Sequence, residues 1–250
     1  MLNYPFIFFL FSLVVLWLAE RIGASLRRQR PLTDDERDDF GLVETATLTL
    51  LGLIIGFSFS MATVRYDQRK NYEEAEANAI GTEYVRADLL PAADAAKVQA
   101  QLKKYTDLRI AFYHMRHGTR LQEINADTAK LQAEMWSAVQ GPALGEPTPV
   151  MALVVSGMND VLNSQGYTQA AWWNRIPTSA WGLMMAIAIS SNLLVGYGVR
   201  ATKAHGALAF ILPLVVAISF LLIADIDSPR GGLIHVRPQN LESLAQSLPK

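Results

Sequence analysis

The chain has 250 residues, of which 51% are hydrophobic and 18% are charged, and its formal net charge is -1 at pH 7. Soluble domains average about 25% charged residues, so this composition is typical of a protein with much of its surface in a bilayer. The balanced charge argues against nucleic acid as a partner, because phosphate contacts need an excess of Lys and Arg. The chain has no Cys, which excludes a disulfide scaffold, a thiol nucleophile and a zinc–thiolate or iron–sulfur site.

Four apolar runs are long enough to cross a bilayer. A helix needs roughly 20 apolar residues to span the hydrocarbon layer, and each run is expected to be helical because lipid offers no hydrogen-bond partner to an open backbone. No Lys or Arg precedes the first run, which favours a membrane helix over a cleaved signal peptide. The predicted spans are Tyr4–Ala19, Leu42–Val64, Ile176–Val199 and Ala207–Ile226.

The polar region between the second and third spans predicts further helices. The second span is expected to continue out of the bilayer and to stop before Pro91, and two more helices follow over Ala92–Arg116 and Leu121–Val139. Gly141-Pro142 predicts a loop. Thr148 or Pro149 then begins a helix that passes Leu162 and ends at Gly166. No stretch alternates as a strand would, so the predicted fold class is all-α.

The chain therefore divides into four parts. Residues 1–65 hold the first two membrane helices, 66–175 form a helical extramembrane domain, 176–227 hold the last two membrane helices, and 228–250 are a C-terminal tail. The loops 20–41 and 200–206 contain several Arg residues and Lys203. The positive-inside rule would place these loops in the cytoplasm and the helical domain outside.

Small residues form a stripe along the second span, at Gly52, Gly56 and Ser60. Residues four apart share a face of a helix. Because pairing helices in lipid gains no hydrophobic energy, small residues that let two helices approach closely provide the contact. We therefore expect helix packing here, either within one subunit or between subunits.

A neighbouring face of the same span carries Thr49, Leu53 and Phe57. If several copies of this helix surrounded an axis, these side chains would form rings around a narrow pore, and a constriction lined by Leu and Phe can close by dewetting. The alternative is that they meet lipid or another helix. Glu44, near the start of the span, is either an interfacial residue or a ring at one mouth of the pore.

Charged residues continue along the helix that leaves the membrane, after Arg65. The carboxylates of this segment, with Arg69, fit either an acidic vestibule that concentrates cations or salt-bridged helix packing. The acidic residues are Glu73, Glu74, Glu76 and Glu83.

The remaining polar residues suggest no catalytic or metal site. His114 and His117 are three residues apart, but no Cys lies nearby to complete a metal site. Asn192 and Asp225 lie within the last two spans, where each is expected to bond another helix or the backbone. The chain has neither a nucleophile elbow nor a phosphate-binding loop, so we predict no enzymatic activity, no cofactor and no metal.

Several motifs resemble a known family. Gly56-Phe57, followed by Arg65-Tyr66, is similar to the end of the second membrane helix of bestrophins. The order of parts also fits: two membrane helices, a helical domain, and two more membrane helices. Three segments resemble the bacterial bestrophin-like domain family, at 65–69 (RYDQR), 74–82 (EAEANAIGT) and 227–232 (DSPRGG).

The resemblance implies a homopentameric ion channel whose second helix lines a hydrophobic neck. The neck positions would be Thr49, Leu53 and Phe57, although Thr49 departs from the bulky apolar type expected there. It also implies a cytoplasmic helical domain, opposite to the loop charges. Calcium-sensing bestrophins carry an acidic cluster after the fourth membrane helix, which Asp225 and Asp227 with Arg230 do not reproduce, so no calcium site is expected.

The sequence thus predicts a multi-pass protein of the bacterial inner membrane that conducts ions. Its partners would be copies of itself, with five as the expected number, membrane lipid and small inorganic ions, but no nucleic acid. Glu44, Arg65, Arg69, Glu73 and Glu76 would form the pore mouth or vestibule. The alternative is a non-conducting scaffold or sensor that acts through its helical domain.

Overall fold

The computed structural model describes residues 4–116, 118–199 and 205–249, and within these ranges it contains helices and no strand. His117, of the His114/His117 pair, and Arg200 and Lys203, of the positively charged loop, lie outside the described residues. The helices are α1 (Pro5–Gln29), α2 (Asp34–Arg86), α3 (Ala92–His114), α4 (Thr119–Gly145), α5 (Pro149–Trp173), α6 (Thr178–Gly198), α7 (His205–Asp227) and α8 (Gln239–Ser247). A short 3-10 turn, Ala87–Leu89, follows α2.

The all-α fold class and the four predicted membrane crossings are confirmed. Among the described residues, four helical stretches are long and apolar enough to cross a bilayer. Each overlaps one of the apolar runs expected from the sequence, so the chain is a membrane protein. The stretches are Pro5–Gln29, Asp34–Leu89, Pro149–Gly198 and Ala209–Asp227.

Two predicted helix ends are wrong. Helix α4 continues through Gly141 and Pro142 to Gly145; Pro142 lies in its last turn, where its carbonyl still accepts a hydrogen bond from the backbone N–H of Glu146 at 3.0 Å. Helix α5 passes Gly166 and ends at Trp173. The cost of a helical glycine is only about 1 kcal/mol, and burial of the turns that follow Gly166 outweighs it. The predicted start of α5 is confirmed, because Thr148 Oγ1 accepts a hydrogen bond from the N–H of Met151 at 3.2 Å.

The chain forms two compact units. The first, here called the membrane unit, comprises residues 1–65 and 175–235, and the second, the helical unit, comprises 66–174 and 236–250. Helix α2 contributes its first part to the membrane unit and the rest to the helical unit. The last residues of the chain pack within the helical unit, where Val236 and Leu241 join its hydrophobic core.

In the membrane unit, α1 packs against α6 at two glycines. A Cβ on Gly23 would overlap the carbonyl oxygen of Leu193, and one on Gly196 would overlap that of Glu20. The two backbones are therefore in direct contact, which is how small residues bring membrane helices together. At the C-terminus of α6, Arg27 Nη1 donates to the carbonyls of Tyr197 (2.9 Å) and Gly198 (2.7 Å).

One face of the first part of α2 packs within the membrane unit. Leu51, Ser58 and Ala62 are buried on this face, which we call the inner face. Near its start the rings of Phe40 and Tyr197 lie 5.4 Å apart, so α6 covers this part of the inner face.

The helical unit is built around a core contributed by α2, α3, α4, α5 and α8. Helix α3 turns one apolar face inward at Val98, Leu102, Tyr105 and Phe112, as its 3.6-residue pattern predicts. The rings of Phe112 and Trp172, from α3 and α5, lie 5.0 Å apart. This core fixes the position of α2's polar side chains in the unit.

We expect Gly196→Ala to destabilise the membrane unit by about 2 kcal/mol, because the added methyl has only backbone to displace. The measurement is the thermal unfolding midpoint of the purified protein in detergent. Gly182→Ala is the matched control on the same helix, since a Cβ at Gly182 meets nothing within 4 Å. Equal midpoints for the two variants would contradict the close α1–α6 contact.

Candidate functional site

The described residues of the membrane unit leave the face of α2 opposite the inner face uncovered. Leu53 is 52% exposed and Phe57 is 62% exposed, and Thr49 is exposed one turn earlier. We call these three residues the outer face. The Oγ1 of Thr49 donates to the carbonyl of Thr45 at 2.8 Å, so its hydroxyl proton is satisfied within the helix. Exposed Leu and Phe side chains of this size need lipid or another chain to cover them.

The small-residue stripe also faces away from the rest of its subunit. A Cβ on Gly52 or Gly56 would meet nothing within 4 Å, and Ser60 is exposed. No described part of the same chain therefore uses this stripe for close packing. Packing through this stripe between subunits stays a prediction.

Glu44 lies on the other side of the helix from the outer face. It is nine residues from Leu53, about two and a half turns, and its Oε2 would lie 2.9 Å from a Cβ on Gly198. Glu44 and Arg65 are both partly exposed. Their roles at a pore mouth stay predictions.

Arg69, Glu73 and Glu76 are buried in the helical unit. Glu73 holds the start of α8: its Oε1 accepts from the backbone N–H groups of Asn240 and Leu241, each at 2.9 Å, and its Oε2 accepts from Asn240 Nδ2 at 2.6 Å. A carboxylate at a helix N-terminus satisfies free N–H groups and interacts favourably with the helix dipole. Burial raises the pKa of the Glu73 carboxyl, and these hydrogen bonds act in the opposite direction.

Glu76 forms a fully buried ion pair with Arg109 of α3. Both side chains are 0% exposed; Arg109 Nε donates to Glu76 Oε1, and Thr168 Oγ1 donates to Oε2 at 3.1 Å. The Arg109 guanidinium also lies 4.3 Å from the centre of the Phe112 ring. The sequence analysis did not identify this pair. Its signal was a charged residue on the apolar face of α3, since Arg109 falls between Tyr105 and Phe112 at helical spacing.

The polar residues of the last two membrane helices bond to backbone, as predicted. Asn192 Nδ2 donates to the carbonyl of Ala188 at 2.8 Å. The Asp225 carboxylate accepts from the N–H groups of Leu233 and Ile234, each at 2.8 Å. Gly232, at a φ of +80°, lets the chain fold back over Asp225, where a Cβ would overlap Oδ1.

Asp227, for which no calcium-binding role is expected, also binds the backbone. Its Oδ1 and Oδ2 accept from the N–H of Ile176 at 3.1 and 3.2 Å. Among the described residues no three His, Cys, Asp or Glu side chains are grouped to hold a metal ion. His114 Nε2 lies 3.0 Å from Glu242 Oε1 of α8.

The family model of the Bestrophin-like domain matches residues 6–241. The chain belongs to the Bestrophin-like family. No curated protein matches it significantly.

Solved structures share the fold over nearly the whole chain. One mutant of a bacterial bestrophin homologue from Klebsiella pneumoniae has a TM-score of 0.64 at 13% identity and covers 94% of this chain and 96% of its own. Another mutant of that homologue has a TM-score of 0.65 at 12% identity, with 95% and 96% covered. A crystal structure described only as a membrane protein has a TM-score of 0.63 at 14% identity, again with 95% and 96% covered.

We expect Glu76→Ala to destabilise the protein by about 3–5 kcal/mol, because it leaves the Arg109 charge buried without its carboxylate. The matched control is Glu74→Ala, an exposed carboxylate on the same helix, for which the change should stay within about 0.5 kcal/mol. Thermal unfolding midpoints of the two purified variants measure the difference. A Glu76→Ala midpoint equal to that of the control would contradict the buried pair.

Proposed function

We propose that the chain is one subunit of a homo-oligomeric ion channel whose pathway is lined by α2. The observation that carries the proposal is the outer face: Leu and Phe side chains exposed on a membrane helix, on the face that its own unit does not cover. Membership of the Bestrophin-like family and the shared fold support it. One helix cannot enclose a pathway, so several copies must surround an axis, as the closed symmetry of most homo-oligomers allows. Five is the expected number.

The outer face provides the neck of this pathway. Rings of Leu53 and Phe57 would exclude water when close together, and a dry constriction stops ions without a physical plug. Thr49 contributes a smaller side chain with a hydroxyl, so its ring would be wider and wetter. The gate is therefore expected at Leu53 and Phe57.

The small-residue stripe supports close contact between neighbouring copies. Gly52, Gly56 and Ser60 lie beside the outer face and remain open in the single subunit. Two α2 helices that meet through such residues can approach closely enough to gain dispersion contacts in lipid. This contact would hold the neck residues of all copies at the same distance from the axis of the oligomer.

The vestibule is proposed along the part of α2 that belongs to the helical unit, residues 66–86. Because the carboxylate oxygens of Glu73 and Glu76 accept hydrogen bonds inside the helical unit, the role of these residues would be to hold this helix in place. The side chains that would meet ions directly are exposed polar ones, among them Asn71, Glu74 and Asn78. Glu44 and Arg65 are proposed at the ends of the membrane segment.

Replacing the neck aromatic should widen the pathway. We expect Phe57→Ala to increase the single-channel conductance or to keep the channel open, because the smaller side chain weakens the dry constriction. Currents through purified protein in planar bilayers measure this. Phe59→Ala is the matched control, since Phe59 is 41% exposed but lies about 160° further around the helix.

Three results would contradict the proposal. Identical currents from the Phe57→Ala and Phe59→Ala channels would show that the outer face does not line the neck. No current from any variant would favour a non-conducting scaffold. A monomer in detergent would leave α2 without an axis.

The helical unit is proposed to lie in the cytoplasm beneath the bacterial inner membrane. We expect a cysteine introduced as Glu134→Cys, at an exposed position of α4, to resist an impermeant thiol reagent in intact cells and to react after lysis. The native chain has no thiol, so labelling reports this site alone. Full labelling in intact cells would place the helical unit outside.

A further inference from the structure

The helical unit buries one carboxyl group that no described residue bonds. Glu83 of α2 is 0% exposed, and neither of its oxygens has a hydrogen-bond partner in the described part of the chain. Glu73 and Glu76, on the same helix, each accept hydrogen bonds from named donors. A buried carboxylate without such donors is costly, whereas the protonated acid is not charged. The environment of Glu83 therefore favours the protonated form.

A glycine of α5 makes room for this group. A Cβ on Gly157 would overlap Glu83 Oε2 and would lie 2.6 Å from Arg86 Nη1. The Glu83 carboxyl and the Arg86 guanidinium therefore both lie directly over the Gly157 backbone. We call this place the Gly157 notch. Any other residue at position 157 would have to displace the carboxyl.

Two further charges act on the group. Arg86 is on the next turn of α2 and Asp160 is on the next turn of α5 after Gly157. Burial raises the pKa of Glu83 to about 8; Arg86 opposes this rise and Asp160 adds to it. Asp160 is exposed and Arg86 is half-buried, so water weakens both effects and burial decides the direction.

We propose that Glu83 is a proton-binding switch of the helical unit: with its proton the carboxyl stays in the Gly157 notch and α2 packs against α5, and without it the carboxylate moves out towards Arg86 and water and this contact loosens. The inference goes beyond ion conduction and does not depend on it. Because Glu83 belongs to α2, the switch changes the contacts of the helix on which the proposed pathway depends.

The direction of the pH effect follows from linkage. The folded pKa of about 8 lies above the ordinary value of 4.5. The stabilisation is therefore complete below about pH 4.5, falls as the pH rises, and is lost once the pH has passed through about 8. Above that value the carboxyl is ionised in both the folded and the unfolded protein, so Glu83 no longer makes the free energy of unfolding depend on pH.

The test is the thermal unfolding midpoint of the full-length protein in detergent between about pH 5 and about pH 9. We expect the wild type to lose several degrees over this range and Glu83→Gln, which cannot ionise, to lose clearly less. Glu134→Gln, an exposed carboxylate on α4 of the same unit, is the matched control and should follow the wild type. A Glu83→Gln profile parallel to the wild type would overturn the proposal.

A second variant keeps the test decisive if Glu83→Gln folds poorly. Gly157→Ala fills the notch and should expel the carboxyl into water, where its pKa returns towards the ordinary value. We expect a lower midpoint than the wild type at about pH 5 and little difference at about pH 9. A Gly157→Ala profile that stays parallel to the wild type at every pH would overturn the switch.

Discussion

The structure depends on a membrane helix that its own unit covers on one face only. The inner face of α2, at Leu51, Ser58 and Ala62, is buried, whereas Leu53 and Phe57 are more than half exposed. In water, an uncovered apolar face would be buried by the hydrophobic effect. In lipid that force between helices is absent, so in the proposed oligomer close packing through small residues would provide the association. Gly52 and Gly56 have the open space that such a contact needs.

A row of buried polar side chains along one face of α2 holds this helix inside the helical unit. Arg69, Glu73, Glu76 and Glu83 recur at intervals close to the helical repeat, and all are buried. The carboxylates have different partners: Glu73 holds the N-terminus of α8, Glu76 pairs with Arg109, and Glu83 has no donor in the part of the chain that the structure describes. Buried polar groups specify one packing arrangement because each wrong arrangement leaves them unsatisfied. The carboxylate without a donor is the one whose charge state is free to change.

Much of the fold follows from the sequence because its causes are local. The apolar runs predict the membrane helices, and Thr148 predicts the start of α5. The ends at Gly141-Pro142 and Gly166 were not predictable locally, because packing of the neighbouring turns outweighs the cost of one glycine or one proline near a helix end. Glu76 pairs with Arg109, and Glu73 binds the start of α8. Both contacts join residues far apart in the chain, and no local pattern encodes such a pairing. The charge of Arg109 within an apolar face was the one sign of it.

The central claim is that the outer face of α2 borders a water-filled pathway in the assembled protein. In this cysteine-free chain, Leu53→Cys and Phe59→Cys place a thiol on two different faces of the same helix. Ion flux through reconstituted protein is then measured before and after treatment with a charged, water-soluble thiol reagent. If the outer face borders the pathway, the reagent blocks the Leu53→Cys protein and leaves the Phe59→Cys protein unaffected. Block at Phe59→Cys with none at Leu53→Cys would contradict it.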